Sequence, residues 1–439
     1  MRSSLGFHTL SLSTYINGDQ WRHLKRDLKQ YSRDTGQIKI YPVDRKGKSV
    51  KITRDGTTKN EIVGTRISFC EWGHGIDWTI RRCNWPPKEE RYVSSRKGEQ
   101  WYMIDVKINP KLLTGVRGYI TAATINDMET AIANFNKESK KLSPILPSFT
   151  AYKLKRIDYC VNFDLEELAP GCSPELIMEL IKKSEIPARF KEWTTYDDTA
   201  HRKMSMPGSF YLRNSSVHIN CYSKYMELLE KSKERKSRGY EPIPQEFMEL
   251  SKNIIRFEIQ CKYRKTLKLS ADAQMGGATD VNKYGALLDS RTCACIVANY
   301  FEEILGRGNW YSLQEAIRII RTHGYNRQKE QRLVEALQLV NQCRGVSKAM
   351  ATLQEGERDA FKRTLKDLSG LRINPVTIPK HWGIKYIQHL LYSYNDMLNA
   401  EKYMDGHGPK CVCRSLAQQG ERFVQRSPCF MEDEPCDRR

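Results

Sequence analysis

Hydrophobic and polar positions alternate along three separate stretches of this chain, and the alternation predicts its most informative strands: Tyr152 to Leu165, the first part of Ser209 to Glu230, and Asn253 to Tyr263. Successive side chains of an extended chain point to opposite sides. In the first stretch, Ile157, Tyr159 and Val161 therefore share one face, and Arg156, Asp158, Cys160 and Asn162 the other. In the second, Val217, Ile219 and Cys221 share a core face, while His218, Asn220 and Tyr222 lie opposite. In the third, Arg256, Glu258 and Gln260 form the polar row. Each strand presents chemistry on one face of an otherwise apolar segment.

The same alternation predicts strands at Phe7 to Tyr15, Ile38 to Tyr41, Arg66 to Trp72 and Trp101 to Ile108, and one continuous strand over Phe210 to Tyr222. Helical spacing predicts helices at Asp19 to Tyr31, Met128 to Leu142 with Asn126 as cap, Ser173 to Lys183 with Pro174 in its first turn, and Lys224 to Lys236. From about Asp280 the pattern becomes helical: Asp289 to Leu305, Ser312 to Thr322, Gln328 to Gln342, Ser347 to Leu353 and Glu355 to Ser369. Gly345 separates two of these at the spacing of a helix-turn-helix, which any helical hairpin shares. A strand-turn, Ile373 to Pro379, precedes a last expected helix, Lys385 to Met397. The expected class is α+β: an antiparallel-rich sheet covered by helices on one face, followed by a C-terminal helical domain. The expected divisions are a strand-rich part over 1–145, a site-bearing sheet region over 146–280, a helical domain over 281–400 and a disordered tail over 401–439.

A chain of 439 residues exceeds one ordinary core. Its apolar runs fall short of the roughly 18 residues that a membrane span needs. Met1 to Leu12 lacks the apolar stretch of a secretory signal, so a cytoplasmic protein without membrane partners is expected. The 13 cysteines are scattered, with no Cys-x-x-Cys pair, and read as buried thiols; Cys411, Cys413, Cys429 and Cys436 are too irregular for a zinc site. Charge changes the picture most. Lys and Arg number 72 against 52 acids, a net charge of +20, which points to a polyanion such as nucleic acid. No phosphate-binding Gly-x-x-x-x-Gly-Lys loop occurs, so ATP is not expected.

Isolated carboxylates in apolar strands need a cation. Arg156 and Arg256 stand beside Asp158 and Glu258 and would serve. Mg²⁺ or Mn²⁺ held by Asp158, His218 and Glu258 is the alternative, since hard cations favour carboxylate oxygens and Mn²⁺ tolerates an imidazole. A cation there would polarise a phosphate, and the phenol of Tyr222 could attack it. Lys224, just beyond the strand, could lower that phenol's pKa or touch the phosphate. Tyr225 is a competing nucleophile, and both tyrosines could equally anchor helix to sheet. Lys153, Lys155, Arg156, Arg213 and Arg256 are candidate DNA contacts, and the run Lys231 to Arg238 suits either duplex backbone or a solvated helix end.

The ordered set Arg156, Ile157, Asp158 and Asn162, then Tyr211, Arg213, Ser216, His218, Tyr222, Lys224 and Glu227, then Arg256, Glu258 and Gln260, resembles rolling-circle replication initiators. The nearest resemblance is to phage and plasmid replication proteins of the gene II/gene X kind, and more distantly to the plasmid Rep_trans class. Ile373-Asn374-Pro375-Val376 with Ile378-Pro379 is similar to the helical end of such proteins, so the likeness spans roughly residues 1–400. It implies a Rep-like or HUH-like nuclease sheet. It also implies a site-specific single-strand endonuclease and strand transferase that nicks origin DNA, single- or double-stranded, through a tyrosine. The enzyme would stay joined to the 5′-phosphate, use a divalent metal and work beside a host helicase. The chain departs from that pattern in lacking a His-hydrophobe-His pair: His218-Ile219-Asn220 offers one histidine. A non-catalytic DNA-binding factor, a relaxase-like mobilisation enzyme and a metal nuclease acting through water are the rival readings.

Overall fold

The computed structural model describes residues 3–50, 58, 61–71, 73–83, 100–115, 120–197, 202–204, 208–237, 239–275 and 287–395. The expected tail and its cysteines lie outside these residues, as do Trp72 and Arg238. Chain contacts divide the protein into two units, Met1–Asn162 with Ser215–Thr266 and Leu288–Val297, and Phe163–Asn214 with Leu267–Leu287 and Ala298–Arg439. The architecture is mixed α and β, with a large antiparallel sheet and many helices.

The first unit is built on β1 (Ser4–Asn17), β2 (Ile38–Val43), β3 (Gly64–Phe69), β4 (Ile76–Cys83), β5 (Trp101–Ile108), β6 (Lys153–Asp164), β7 (Val217–Ser223) and β8 (Ile254–Cys261). Their spatial order is β2-β3-β4-β5-β1-β6-β8-β7. The register sorts side chains into two faces. Ile40, Ile67, Trp78, Val106 and Leu12 lie directly opposite one another across five strands. The helices Gly18–Thr35 and Ile125–Leu142 supply Trp21, Leu24, Leu28, Met128, Ala131 and Phe135 to the buried core, with the Phe135 ring 6.2 Å from that of Trp78. Each large side chain so buried contributes about 1.5–3 kcal/mol. One residue along, Lys39, Ser68, Asp77, Lys107, Ser11 and Arg156 form a row across six strands on the opposite, polar face.

Local chemistry sets the element ends. Asn17 accepts from Gln20 N at 2.9 Å, and the Gln20 side chain accepts from Asn17 N at 3.0 Å, a reciprocal cap that starts the first helix. The helix Ile125–Leu142 is capped by Thr124 with Asp127, not by the expected Asn126: Asp127 Oδ2 accepts from Thr124 N at 2.7 Å. Pro42 sits on the edge strand β2, where a missing N–H is tolerated. The strand Ile76–Cys83, not anticipated, alternates Ile76, Trp78 and Ile80 inward.

The expected long strand over Phe210 to Tyr222 is two strands, Ser209–Arg213 and Val217–Ser223, parted at Asn214-Ser215-Ser216. These are turn-forming residues whose short side chains compete for backbone hydrogen bonds. The second unit carries the helices Pro174–Lys182, Leu313–Thr322, Arg327–Gln342, Val346–Thr352 and Glu355–Gly370 around Ile320, Leu333, Leu337 and Leu368. Ser173 caps the first of these. At the turn after Gln342, Arg344 and Gly345 have φ of 57° and 147°. A Cβ on Gly345 would lie 3.1 Å from Lys183 O, and Val346 N donates to that same oxygen. The expected helix Lys385 to Met397 is instead a short strand, Tyr386–Ile387, paired with Trp310–Tyr311, followed by helix from 390 to 395.

Candidate active site

On the polar face of β6, β8 and β7, antiparallel register sets Asn220 opposite Glu258, Tyr222 opposite Arg256 and His218 opposite Gln260. A fourth strand contributes through an irregularity. Phe7 pairs with Tyr159 and Leu10 with Ile157, so His8 and Thr9 together face Asp158. Two residues against one is a β-bulge, and it turns His8 from the apolar face, which strict alternation with Leu10 and Leu12 would give it, to the polar face. His8, Asp158 and Glu258 place their ligand-type atoms within 4.8 Å of one another.

Glu258 is the hub. Its Oε2 lies 2.7 Å from His8 Nδ1 and accepts from the Tyr222 hydroxyl at 3.2 Å. Its Oε1 accepts from Gln260 Nε2 at 2.7 Å and Asn220 Nδ2 at 3.2 Å. Asp158 is fully buried and gripped by a fork, Arg156 Nε to Oδ1 at 2.6 Å and Arg156 Nη2 to Oδ2 at 2.5 Å. Arg256 is fully buried too. It donates to Asn162 Oδ1 at 2.7 Å and to Ile120 O at 2.9 Å, and its Nη1 has no partner among the described residues. The backbone at 120–123 can lie this close because residue 6 is glycine: a Cβ there would stand 2.0 Å from Ala123 O. Lys224, also buried, donates to Glu227 at 2.6 Å, and Lys231 pairs with the same carboxylate.

Burial shapes the electrostatics. It pushes Asp158 up to about 7, assisted by the charge of Glu258 and opposed by Arg156. Burial alone would raise Glu258, but His8, Gln260 and Arg256 outweigh it and hold the carboxyl below its ordinary range. His8 falls to about 4, through burial and then Arg256, and is neutral at pH 7. Lys224 falls to about 7 through burial and Arg256. The Tyr222 phenol is raised well above its ordinary value by burial and by Glu258.

The structure therefore gathers Asp158, Glu258, Tyr222, Lys224, Arg156 and Arg256 from the sequence-derived set. His218 is half-buried on the same row but lies outside the close group, whose imidazole comes from His8. Tyr225 packs against the cluster Leu228, Ile243, Phe247 and Met248. Lys153 is exposed, and Lys155 Nζ lies 4.6 Å over the Tyr263 ring. Arg213 belongs to the second unit, where its guanidinium stacks 3.8 Å over Trp193.

One imidazole and two carboxylates at this spacing fit Mg²⁺ or Mn²⁺ by donor type. In the structure the Arg156 guanidinium supplies the positive charge on Asp158. Among the described residues no helix is long and apolar enough to cross a membrane.

No protein-family model matches the chain, and no curated protein does. Among solved structures it is similar to the rolling circle replication initiator protein from Geobacillus stearothermophilus, at 10% identity and a TM-score of 0.25, over 64% of this chain and 91% of that one. Overlap at that TM-score does not establish a shared fold.

Proposed function

We propose that the protein is a replication initiator of the rolling-circle type, an HUH-like or Rep-like nuclease that nicks one DNA strand through Tyr222. The observation that carries this reading is the shared carboxylate: one oxygen of Glu258 receives the Tyr222 hydroxyl and faces His8, beside Asp158, on a chain of net charge +20. In the step proposed, the phenol oxygen forms a bond to phosphorus and the P–O3′ bond breaks. The products are a 5′-phosphotyrosine and a 3′-hydroxyl that can prime synthesis. Glu258 accepts the phenol's hydrogen bond and aims its oxygen. Arg256 and Lys224 bring positive charge near the phenol and the incoming phosphate. His8, Asp158 and Glu258 would hold a divalent cation, whose charge favours phenolate and offsets the developing charge on the phosphate. The polar row from Lys39 to Arg156 offers the strand a path to the site. Origin DNA and a host helicase are the partners this role requires.

A second reading rests on the Arg156 fork. If Arg156 is the lasting counter-ion of Asp158, the face is a structural ion network and the protein binds DNA without cutting it. The test is to incubate labelled single-stranded DNA carrying the protein's own gene and flanks with Mn²⁺, then to analyse the ends. A free 3′-hydroxyl and a protein-blocked 5′ end support tyrosine nicking. A free 5′-phosphate would assign a nuclease acting through water, and uncut but bound DNA would assign the binding role.

A further inference from the structure

The helical part of the second unit holds a groove of about 700 Å³, lined from three elements. His323 and Tyr325 come from the turn after the helix Leu313–Thr322. Lys329 and Arg332 come from the helix Arg327–Gln342, and Ala360, Arg363, Lys366, Asp367 and Gly370 from the helix Glu355–Gly370. The spacing explains the shape. Ala360, Arg363, Asp367 and Gly370 recur every three or four residues, so they share one helix face, and the small residues at both ends leave the groove open.

The charge is lopsided. The single acid, Asp367, accepts from Arg332 Nη2 at 2.6 Å. Lys329, Arg363 and Lys366 have no carboxylate partner among the described residues. Lys329 Nζ rests 4.0 Å from the Tyr325 ring centre, and the His323 ring lies tilted with its centre 4.4 Å from that of Tyr325. The ring pair thus holds one cation at the lip of the groove. Uncompensated like charges on facing helices repel unless an anion lies between them. The aliphatic side chains of the lining are those of Ala360 and Leu371, too few to seat a hydrophobic peptide.

We infer that this groove binds the phosphodiester backbone of nucleic acid, as a contact site separate from the candidate active site. The choice of DNA rests on the proposed function, whereas the choice of a polyanion rests on the groove. Arg363 and Lys366 make the phosphate contacts, Lys329 closes the opposite wall, and Arg332 is held in place by Asp367.

The experiment measures binding of the full-length protein to labelled duplex and single-stranded DNA by fluorescence anisotropy across a series of KCl concentrations. The groove variant is Arg363→Gln with Lys366→Gln, both exposed positions. The control is Lys25→Gln with Lys29→Gln, exposed on the helix Gly18–Thr35 and equal in charge lost. The groove variant should weaken binding about tenfold at low salt and reduce the slope of log affinity against log salt by about 1.8 on duplex or about 1.4 on single strands. The control should change binding less than about twofold. Lys329→Gln should lower the slope from the facing wall by about half as much. Equal losses in groove and control pairs, or an unchanged slope, would overturn the inference. So would labelled poly-glutamate that binds as tightly as DNA and is lost in the groove variant, which would make the surface one for acidic protein. The binding curves are taken without divalent cation, so that no strand is cut, and a failure of the nicking mechanism and a failure of the groove are read separately.

Discussion

The polar face of the sheet carries the same ion pair in two settings. On β3 to β5, Arg66 pairs with Asp77 and Arg81 with Asp105, and all four side chains are between 22% and 33% exposed. On β6, Arg156 pairs with Asp158, whose side chain is fully buried beside Glu258. The outer pairs have water as a third partner, so their attraction is screened and their loss should matter little. The inner acid has only its neighbours, and it is pushed up to about 7. Residue type alone does not separate the two settings; the burial of Asp158 and Glu258 does, with residues 122–123 lying close over Gly6.

That contrast can be broken by substitution. Glu258→Ala should have the largest effect on stability, about 3–5 kcal/mol by urea denaturation at pH 7, because buried Arg256 loses a nearby negative charge and Asn220, Tyr222 and Gln260 lose their buried acceptor. Asp77→Ala in the outer half should cost about 1 kcal/mol or less. Equal costs would remove the distinction between the two settings.

Cation binding sharpens it. Mn²⁺ at about 100 times its dissociation constant should stabilise the wild-type protein by about 2.7 kcal/mol in a thermal melt, and Asp105→Asn should keep that gain. His8→Ala should lose it. Stabilisation that survives His8→Ala would place the ion elsewhere.

The inner setting also responds to pH. Lys224 binds its proton less tightly in the fold, with a pKa of about 7, than its ordinary 10.5. Between those values the unfolded chain holds the proton and the folded chain does not, so the Lys224 contribution to stability rises with pH from about 7 to about 10.5 and is level below. Lys224→Met should flatten that rise in pH-dependent denaturation. The smallest change is expected for Asp105→Asn, within about 1 kcal/mol.

Alternation made most of the inner site legible. Asp158, Glu258 and Tyr222 could be assigned to one face because β6, β7 and β8 keep strict period-2 order, and their register brings those faces together. His8 could not be assigned that way. Counting back from Leu12 and Leu10 puts it in the apolar core, and only the bulge against Asp158 reverses it. A two-versus-one pairing depends on the partner strand, which lies about 150 residues away in sequence, so local pattern carries no trace of it. The same limit explains the strand expected through Asn214-Ser215-Ser216 and the helix expected from Lys385. In the latter, the pairing of Tyr386–Ile387 with Trp310–Tyr311 outweighed helical spacing. The burial of Lys224 was likewise invisible, because a lysine after a strand ordinarily reads as exposed.

The most direct test of the account is to identify the residue that carries DNA. The protein would be incubated with Mn²⁺ and single-stranded DNA bearing its own gene and flanks, the covalent complex digested with protease and nuclease, and the nucleotide-bearing peptide sequenced by mass spectrometry. The account predicts a phosphonucleotide on Tyr222, absent from Tyr222→Phe and retained in Tyr225→Phe. A nucleotide on Tyr225, or cleavage with no protein-bound nucleotide, would contradict it.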